Sequence, residues 1–263
     1  MRVDLHNHTT LCNHATGTSE EYIKRAIELG IDVYGFSDHA PMPYDPKYRM
    51  DISAKPLYEK EILDLKEIYK NDIEVLLGYE VDYLDGFILD EIVHAKVDYL
   101  IGSVHFLKNK QDMWGFDNPE FIGVYKSKDI DTIWSEYFDA IEAMAKTGLF
   151  DIVGHLDLIK VFKFLPKKDV RLLAKKALLA IKDSNMVLEI NPAGLRKPIK
   201  ETYPSRTLLE LAYEMNINIT FGSDAHAIDQ VGFKYEEVSL FAKEIGFTKC
   251  MTFSNRDSKL VSF

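Results

Sequence analysis

The sequence predicts an α/β fold in which seven parallel strands close into a single barrel, and three observations carry that prediction. Seven short apolar runs alternate with segments of helical period, the pattern of a parallel sheet with helices packed outside it. Most of these runs are followed at once by a histidine or a carboxylate, as when strands deliver polar side chains to one end of a barrel. The length, 263 residues, is that of one barrel, so the expected organisation is one domain over residues 1–263. An open doubly wound sheet gathers its site at one switch point. Ligand-type residues at the ends of at least six runs need a closed ring.

The elements follow in order. A strand over 3–6 leads to a helix over 18–29, with Thr18 or Ser19 as N-cap, acids in the first turn and Gly30 as the stop. A strand over 33–37 opens into a loop over 41–55 rich in Pro, Tyr and Asp. The helix over 56–70 places Leu57, Ile62, Leu65 and Ile68 at helical spacing. Strands over 74–79 and 99–104 come next, then a long segment, 106–130, holding Trp114 and Phe116. A helix over 131–147 stops at Gly148. Strands over 152–155, 186–190 and 217–222 alternate with helices over 168–183 and 205–216. A helix over 236–245 stops at Gly246, and a short apolar run over 249–253 lies beyond. There is no repeat, low-complexity tract or linker.

Composition narrows the function. Hydrophobic content of 46% with 28% charged residues is ordinary for a globular chain, and no stretch has the roughly 18 apolar residues of a membrane span. The opening MRVDLHNH turns polar without a signal-peptide core, so a cytoplasmic location is expected. Cys12 and Cys250 are expected as reduced thiols. A net charge of −10 speaks against nucleic-acid or anionic-membrane partners. It leaves room for a small anionic substrate drawn to bound cations.

Seven of the eight histidines stand in short packets, HNH, NHA, SDHA, SVHF, GHLD and GSDAH, joined by the acidic GYEVDY. The candidate metal ligands are His6, His8, His14, His39, Glu80, His105, His155, Asp224 and His226. Imidazoles and carboxylates are the donors that zinc, manganese or iron take. His6 and His8 are two apart and face the same way on a strand. Asp224 and His226 repeat that spacing on the last strand, which a closed barrel sets beside the first. Glu80 has two oxygens with which to bridge ions, leaving His14 and His39 on one side and His105 and His155 on the other, so three metal positions are expected. Such centres suit phosphoester hydrolysis. No GxSxG elbow or P-loop is present. Asp38 and Asp157, each beside a candidate histidine, are expected to orient imidazoles. His94 is expected on a helix surface.

The ordered packets resemble the PHP superfamily of metal-dependent phosphoesterases over residues 4–226. The resemblance implies a distorted (β/α)7 barrel with a trinuclear site. It implies a first ion on His6, His8, Glu80 and Asp224, a second on His14, His39 and His226, and a third on Glu80, His105 and His155. The segments LHNHTTLCNHA, SVHFL…WGFDNP and INPAGLRKP are most similar to stand-alone histidinol phosphatases, which implies hydrolysis of L-histidinol phosphate in histidine biosynthesis. Arg196 resembles the family's phosphate-binding arginine, a bidentate match for phosphate. Lys160 stands where a second basic residue, more typically arginine, would contact substrate. Trp114 and Phe116 either anchor their loop or contact the organic half of the substrate, and are carried as candidate substrate contacts. The competing readings are a phosphoesterase for another phosphomonoester or nucleotide, and a noncatalytic metal-binding module.

Overall fold

The computed structural model describes residues 1–109 and 112–263. Along the chain run β1 (Val3–Asp4), α1 (Ser19–Glu28), β2 (Val33–Phe36), α2 (Lys55–Ile68), β3 (Glu74–Asp82) and the one-turn α3 (Asp90–Val93). Then come β4 (Tyr99–Ser103), β5 (Phe106–Asn109), β6 (Asp112–Gly115), α4 (Ile130–Lys146), β7 (Ile152–Val153), α5 (Val170–Asp183) and β8 (Val187–Ile190). The chain continues through α6 (Arg206–Glu214), β9 (Ile219–Phe221), α7 (Tyr235–Ile245), β10 (Lys249–Ser254) and β11 (Asp257–Ser262).

One seven-stranded sheet has the order β1-β2-β3-β4-β7-β8-β9, and every adjacent pair in it is parallel. The seam between β9 and β1 is closed by backbone bonds. Leu5 N–H donates to Phe221 O at 2.8 Å, Asp224 N–H to His6 O at 2.7 Å and His8 N–H to Ala225 O at 3.0 Å. The expected barrel therefore forms from the seven expected runs. Several ladders end short of the predicted bounds, because ligand-type residues peel away from the sheet at its C-terminal end. Thr18 is the N-cap of α1, in a capping box with Glu21, and Gly30 follows at φ +66°.

The interior is a packed core. Tyr99 crosses it from β4 and donates its hydroxyl to Leu5 O at 2.6 Å. Its ring fits because β2 and β3 carry glycine there: a Cβ on Gly35 would lie 2.2 Å from the Tyr99 oxygen, and one on Gly78 2.7 Å from its Cζ. Below it, Phe253 of β10 brings its ring to 6.0 Å. The run over 249–253 is thus half of an antiparallel hairpin with β11. That hairpin is tied to the starts of two barrel strands by Arg256, which bonds Asp151, Leu149 O at 2.7 Å and, through its N–H, Asp98 O at 2.9 Å.

The segment 106–130 is more structured than the sequence suggests, with β5 and β6 forming a hairpin. Here the structure favours one of the two readings left open for Trp114 and Phe116, that they anchor the loop. Trp114 and Phe116 are buried in an aromatic cluster: Trp114 lies edge-on to Tyr125 at 4.9 Å and Phe116 edge-on to Tyr137 of α4 at 5.3 Å. Large apolar rings help hold this excursion on the barrel, beside backbone bonds such as Phe116 N–H to His105 O at 3.2 Å. Among the described residues no helix is long and apolar enough to cross a membrane.

Candidate metal centre

All nine candidate ligands meet at the C-terminal end of the barrel. Glu80, fully buried on β3, is the pivot. Its Oε2 faces His39 Nδ1 at 3.0 Å, His6 Nε2 at 3.3 Å and His8 Nε2 at 3.7 Å. Its Oε1 faces His155 Nε2 at 3.0 Å and His105 Nε2 at 3.7 Å. Across the seam, Asp224 Oδ1 lies 3.3 Å from His8 Nε2. His226 stacks on His8 with ring centroids 3.9 Å apart, and His14 sits 4.6 Å from His226.

Donor atoms gather within 4.8 Å of one another in the groups His6–His8–Glu80, Glu80–His105–His155 and His8–His39–His226. Glu80 belongs to two groups, as a bridging carboxylate should. One grouping differs from expectation. His39 and His226 are joined by His8, whereas His14 stands with His226 and Cys12. Cys12 is a buried thiol bonded to Thr9 O at 3.1 Å, and burial followed by the nearby Asp38 charge pushes its pKa up, keeping the proton on sulfur. His94 is exposed, away from the centre.

Most of the imidazoles are oriented from behind. His6 Nδ1 bonds Glu189 Oε1 at 2.6 Å, His105 Nδ1 bonds Asp82 Oδ1 at 2.6 Å, and His8 Nδ1 reaches Asp38 Oδ1 at 3.4 Å. His14 and His226 use backbone carbonyls, Cys12 O at 2.8 Å and Asp224 O at 3.2 Å. Each bond holds a proton on Nδ1 and frees Nε2 toward the centre, the usual arrangement behind a metal-ligating histidine. The acceptors are themselves supported. Asp38 accepts from the Thr9 hydroxyl and from His39 N–H at 2.8 Å, and Asp82 pairs with the buried Arg49 of the 41–55 loop.

Burial and charge work against each other here. Burial alone would raise the Glu80 and Asp224 carboxyls, but the facing histidines, His39 and His6 for the first and His6 and His8 for the second, hold both well below the usual range. Burial lowers His39 to about 4 despite Glu80. His105 would likewise be lowered by burial, yet the Asp82 carboxylate lifts it to about 10. Among the described residues, His6 Nε2, His8 Nε2, His226 Nε2 and His39 Nδ1 are buried without a hydrogen-bond partner. Buried nitrogens gathered around carboxylate oxygens without making hydrogen bonds to them are what a cation would satisfy. The donor set fits metal ions.

Arg196 lies at the rim, on a 3-10 turn over Pro192–Arg196. Its Nη2 donates to Ser223 O at 3.0 Å and Asp224 O at 2.8 Å, while Nη1 is buried and unpartnered among the described residues. Lys160 corrects an expectation. Its buried ammonium pairs with Asp157 Oδ2 at 2.9 Å and donates to Glu201 Oε2 at 3.1 Å and Thr202 O at 2.8 Å. Its charge and two of its three donors are thus engaged inside the protein. Asp157 correspondingly holds Lys160 and Ser205 N–H, at 2.9 Å, and not an imidazole. Sequence reasoning missed Glu189, Asn191, Asp82 and Arg49. Asp82 carried a signal, since it is two residues after Glu80 on one strand and so shares its face.

The seven-stranded parallel barrel with a histidine-rich metal cup at its C-terminal end defines a class. The PHP domain model matches residues 4–193, and the chain belongs to the PHP domain family. Among curated relatives it is similar to a "probable histidinol-phosphatase" of Deinococcus radiodurans, 38% identical, with 96% of each chain covered. It is also similar to the histidinol-phosphatase of Bacillus subtilis, 31% identical over 89% of this chain and 96% of that one. A structure from Listeria monocytogenes described as a "putative histidinol phosphatase" superimposes with a TM-score of 0.82 at 27% identity, covering 90% of this chain and 99% of that one. The Lactococcus lactis histidinol phosphate phosphatase, complexed with zinc, L-histidinol and phosphate, shares the fold with a TM-score of 0.79 at 22% identity, over 98% of both chains.

Proposed function

We propose that this protein is a metal-dependent phosphomonoester hydrolase, a histidinol-phosphatase that releases L-histidinol and phosphate from L-histidinol phosphate. One observation carries the chemistry: the two oxygens of Glu80 address separate histidine groups, beside an arginine with a free donor. The substrate follows from relatives that carry that name over nearly the whole chain.

Three divalent ions are proposed, from the choice of zinc, manganese and iron that such donors admit. His6, His8, Glu80 and Asp224 would hold the first. His39 and His226, with His14, would hold the second, and Glu80, His105 and His155 the third. When bound, such ions supply Lewis-acid polarisation of the phosphate and activation of water. The chain's own residues do the rest. Glu189, Asp82 and Asp38 fix the imidazole tautomers, and burial excludes bulk water from Glu80. Arg196 holds a phosphoryl oxygen through Nη1 while its Nη2 stays fixed on the Asp224 backbone, and a guanidinium set in place beforehand stabilises charge developing on phosphorus-bound oxygens.

The test is a kinetic screen of phosphomonoesters, including L-histidinol phosphate and an aryl phosphate, with elemental analysis of the same sample. A strong preference for L-histidinol phosphate by metal-bearing protein is expected. Equal turnover of all esters would move the substrate elsewhere, and no turnover by fully loaded protein would overturn the reading.

A further inference from the structure

Buried tyrosines in this barrel are almost all satisfied. Tyr58 donates to Gly78 O at 2.8 Å, Tyr99 to Leu5 O at 2.6 Å, Tyr137 to His155 O at 3.3 Å, and Tyr125 reaches Phe116 O and Ile159 O, both at 3.1 Å. Tyr203 differs. Its side chain is buried, and its hydroxyl has no hydrogen-bond partner among the described residues. Phenylalanine would fill the same space without leaving a buried donor unmet, and an unmet buried donor is costly. Tyr34 also lacks a partner, but it packs edge-on against Phe36 in the apolar core.

Position separates the two. Tyr203 is clamped to the end of β8 by a two-way backbone bridge, Asn191 N–H to Tyr203 O at 2.6 Å and Tyr203 N–H to Asn191 O at 2.8 Å. The Asn191 side chain touches Glu189 at 3.2 Å and the candidate ligand Asp224 at 3.3 Å. The ring of Tyr203 stands edge-on to His155, 6.4 Å between centroids. Gly194, on the turn that carries Arg196, packs closely against this segment: a Cβ there would lie 2.0 Å from Glu201 O and 3.0 Å from Tyr203 Cζ. A phenol keeps its proton at neutral pH, so the hydroxyl is a donor on a ring that packs against the candidate ligand His155. The segment 192–203 thus presents two unmet buried donors beside the candidate ligands, Arg196 Nη1 and the Tyr203 hydroxyl.

We propose that Tyr203 contacts the substrate, its hydroxyl donating a hydrogen bond to a phosphoryl oxygen that Arg196 also holds. This rests on the phosphomonoesterase reading above and adds a second phosphate contact, in place of the internally paired Lys160. No proton is transferred in this role.

The test compares metal-loaded wild type with Tyr203→Phe, using inorganic phosphate as the probe. Calorimetry gives phosphate affinity, thermal melts give Tm with and without phosphate, and kinetics use L-histidinol phosphate and an aryl phosphate. The variant should keep its metal and its phosphate-free Tm, because it loses no internal hydrogen bond. Its phosphate affinity should fall about tenfold or more, the loss expected for one hydrogen bond to a charged group. The phosphate-induced rise in Tm should shrink accordingly, and kcat/KM should fall alike for both esters. Unchanged phosphate affinity would overturn the proposal, as would loss of metal or of phosphate-free Tm, which would mark a structural residue. A wild type that binds phosphate through Tyr203 yet hydrolyses no ester would sink the phosphatase reading and leave the phosphate contact standing. A loaded wild type that binds no phosphate would reject both.

Discussion

Replacing Glu189 by glutamine keeps the side chain's volume, removes one charge and turns one of two acceptors into a donor. Both acceptors are in use. Oε1 takes His6 Nδ1–H at 2.6 Å, and Oε2 takes His155 N–H at 2.7 Å and an Asn191 amide hydrogen at 3.2 Å. The single oxygen of a glutamine can serve only one side. If it serves His155, the amide N–H faces His6 and pushes the imidazole proton toward Nε2, where a cation must bind. If it serves His6, the buried His155 N–H is left unpaired. The carboxylate fits here because Gly222 has no side chain: a Cβ on it would lie 2.2 Å from Oε1. Exchanging a charged for a neutral hydrogen bond loses about 1 kcal/mol, and a buried unpaired donor costs about 1–3 kcal/mol. A total of about 2–4 kcal/mol corresponds to a roughly 30- to 900-fold loss of metal affinity, its lower end within the roughly 10- to 100-fold effect of such supporting residues. Titration against a competing chelator measures it directly, with melts of the metal-free proteins as control. A Glu189→Gln protein with wild-type metal affinity would show that His6 does not depend on this carboxylate.

Three further outcomes are expected. Glu80→Gln should lower metal content and activity together, because it weakens two donor groups at once; full metal with near-normal turnover would refute the bridge. Arg196→Ala should cut kcat/KM about ten- to a hundredfold, the worth of one charged hydrogen bond of roughly 1.5–3 kcal/mol, with metal content unchanged; Arg196→Lys should recover part of it, and full efficiency in the alanine variant would remove arginine from the phosphate site. Phe116→Ala should cost about 3–5 kcal/mol of stability in denaturant unfolding, as a buried aromatic does; intact stability with a selectively raised KM for L-histidinol phosphate would restore it as a substrate contact.

The barrel was legible because strands buried on both faces read as continuous apolar runs, and the metal cup because its donors follow those runs directly. What was hidden depends on distance in space. Glu189 is an acid inside an apolar strand, and only the position of His6, 183 residues away, gives it a role. Lys160 looks like a free cation until Glu201 and Thr202 fold over it. Tyr203 looks like any core aromatic, since nothing local reveals whether a hydroxyl will find a partner. The β11 strand, with the sequence DSKLVS, is mostly exposed and polar and lacks an apolar signature. Trp114 and Phe116 were open to two readings because an aromatic in a long loop anchors it or meets a ligand with the same residue type.

The seam between β9 and β1 is the barrel's slenderest joint, since β1 spans only two residues and meets β9 through scattered backbone bonds. His6 and His8 stand on one side of that joint, and Asp224 and His226 on the other. An ion held by His8 and Asp224, as proposed, would act as a clasp on a hoop, closing the circle with bonds stronger than those the strands make themselves. Barrel closure and metal occupancy then become one equilibrium, each stabilised by the free energy of the other. Stripping the ions should loosen the ring where it is joined, so that the amides of Leu5, His8 and Asp224 exchange with solvent ahead of those in β2 and β3. The metal centre is, in that sense, also the keystone of the fold that builds it.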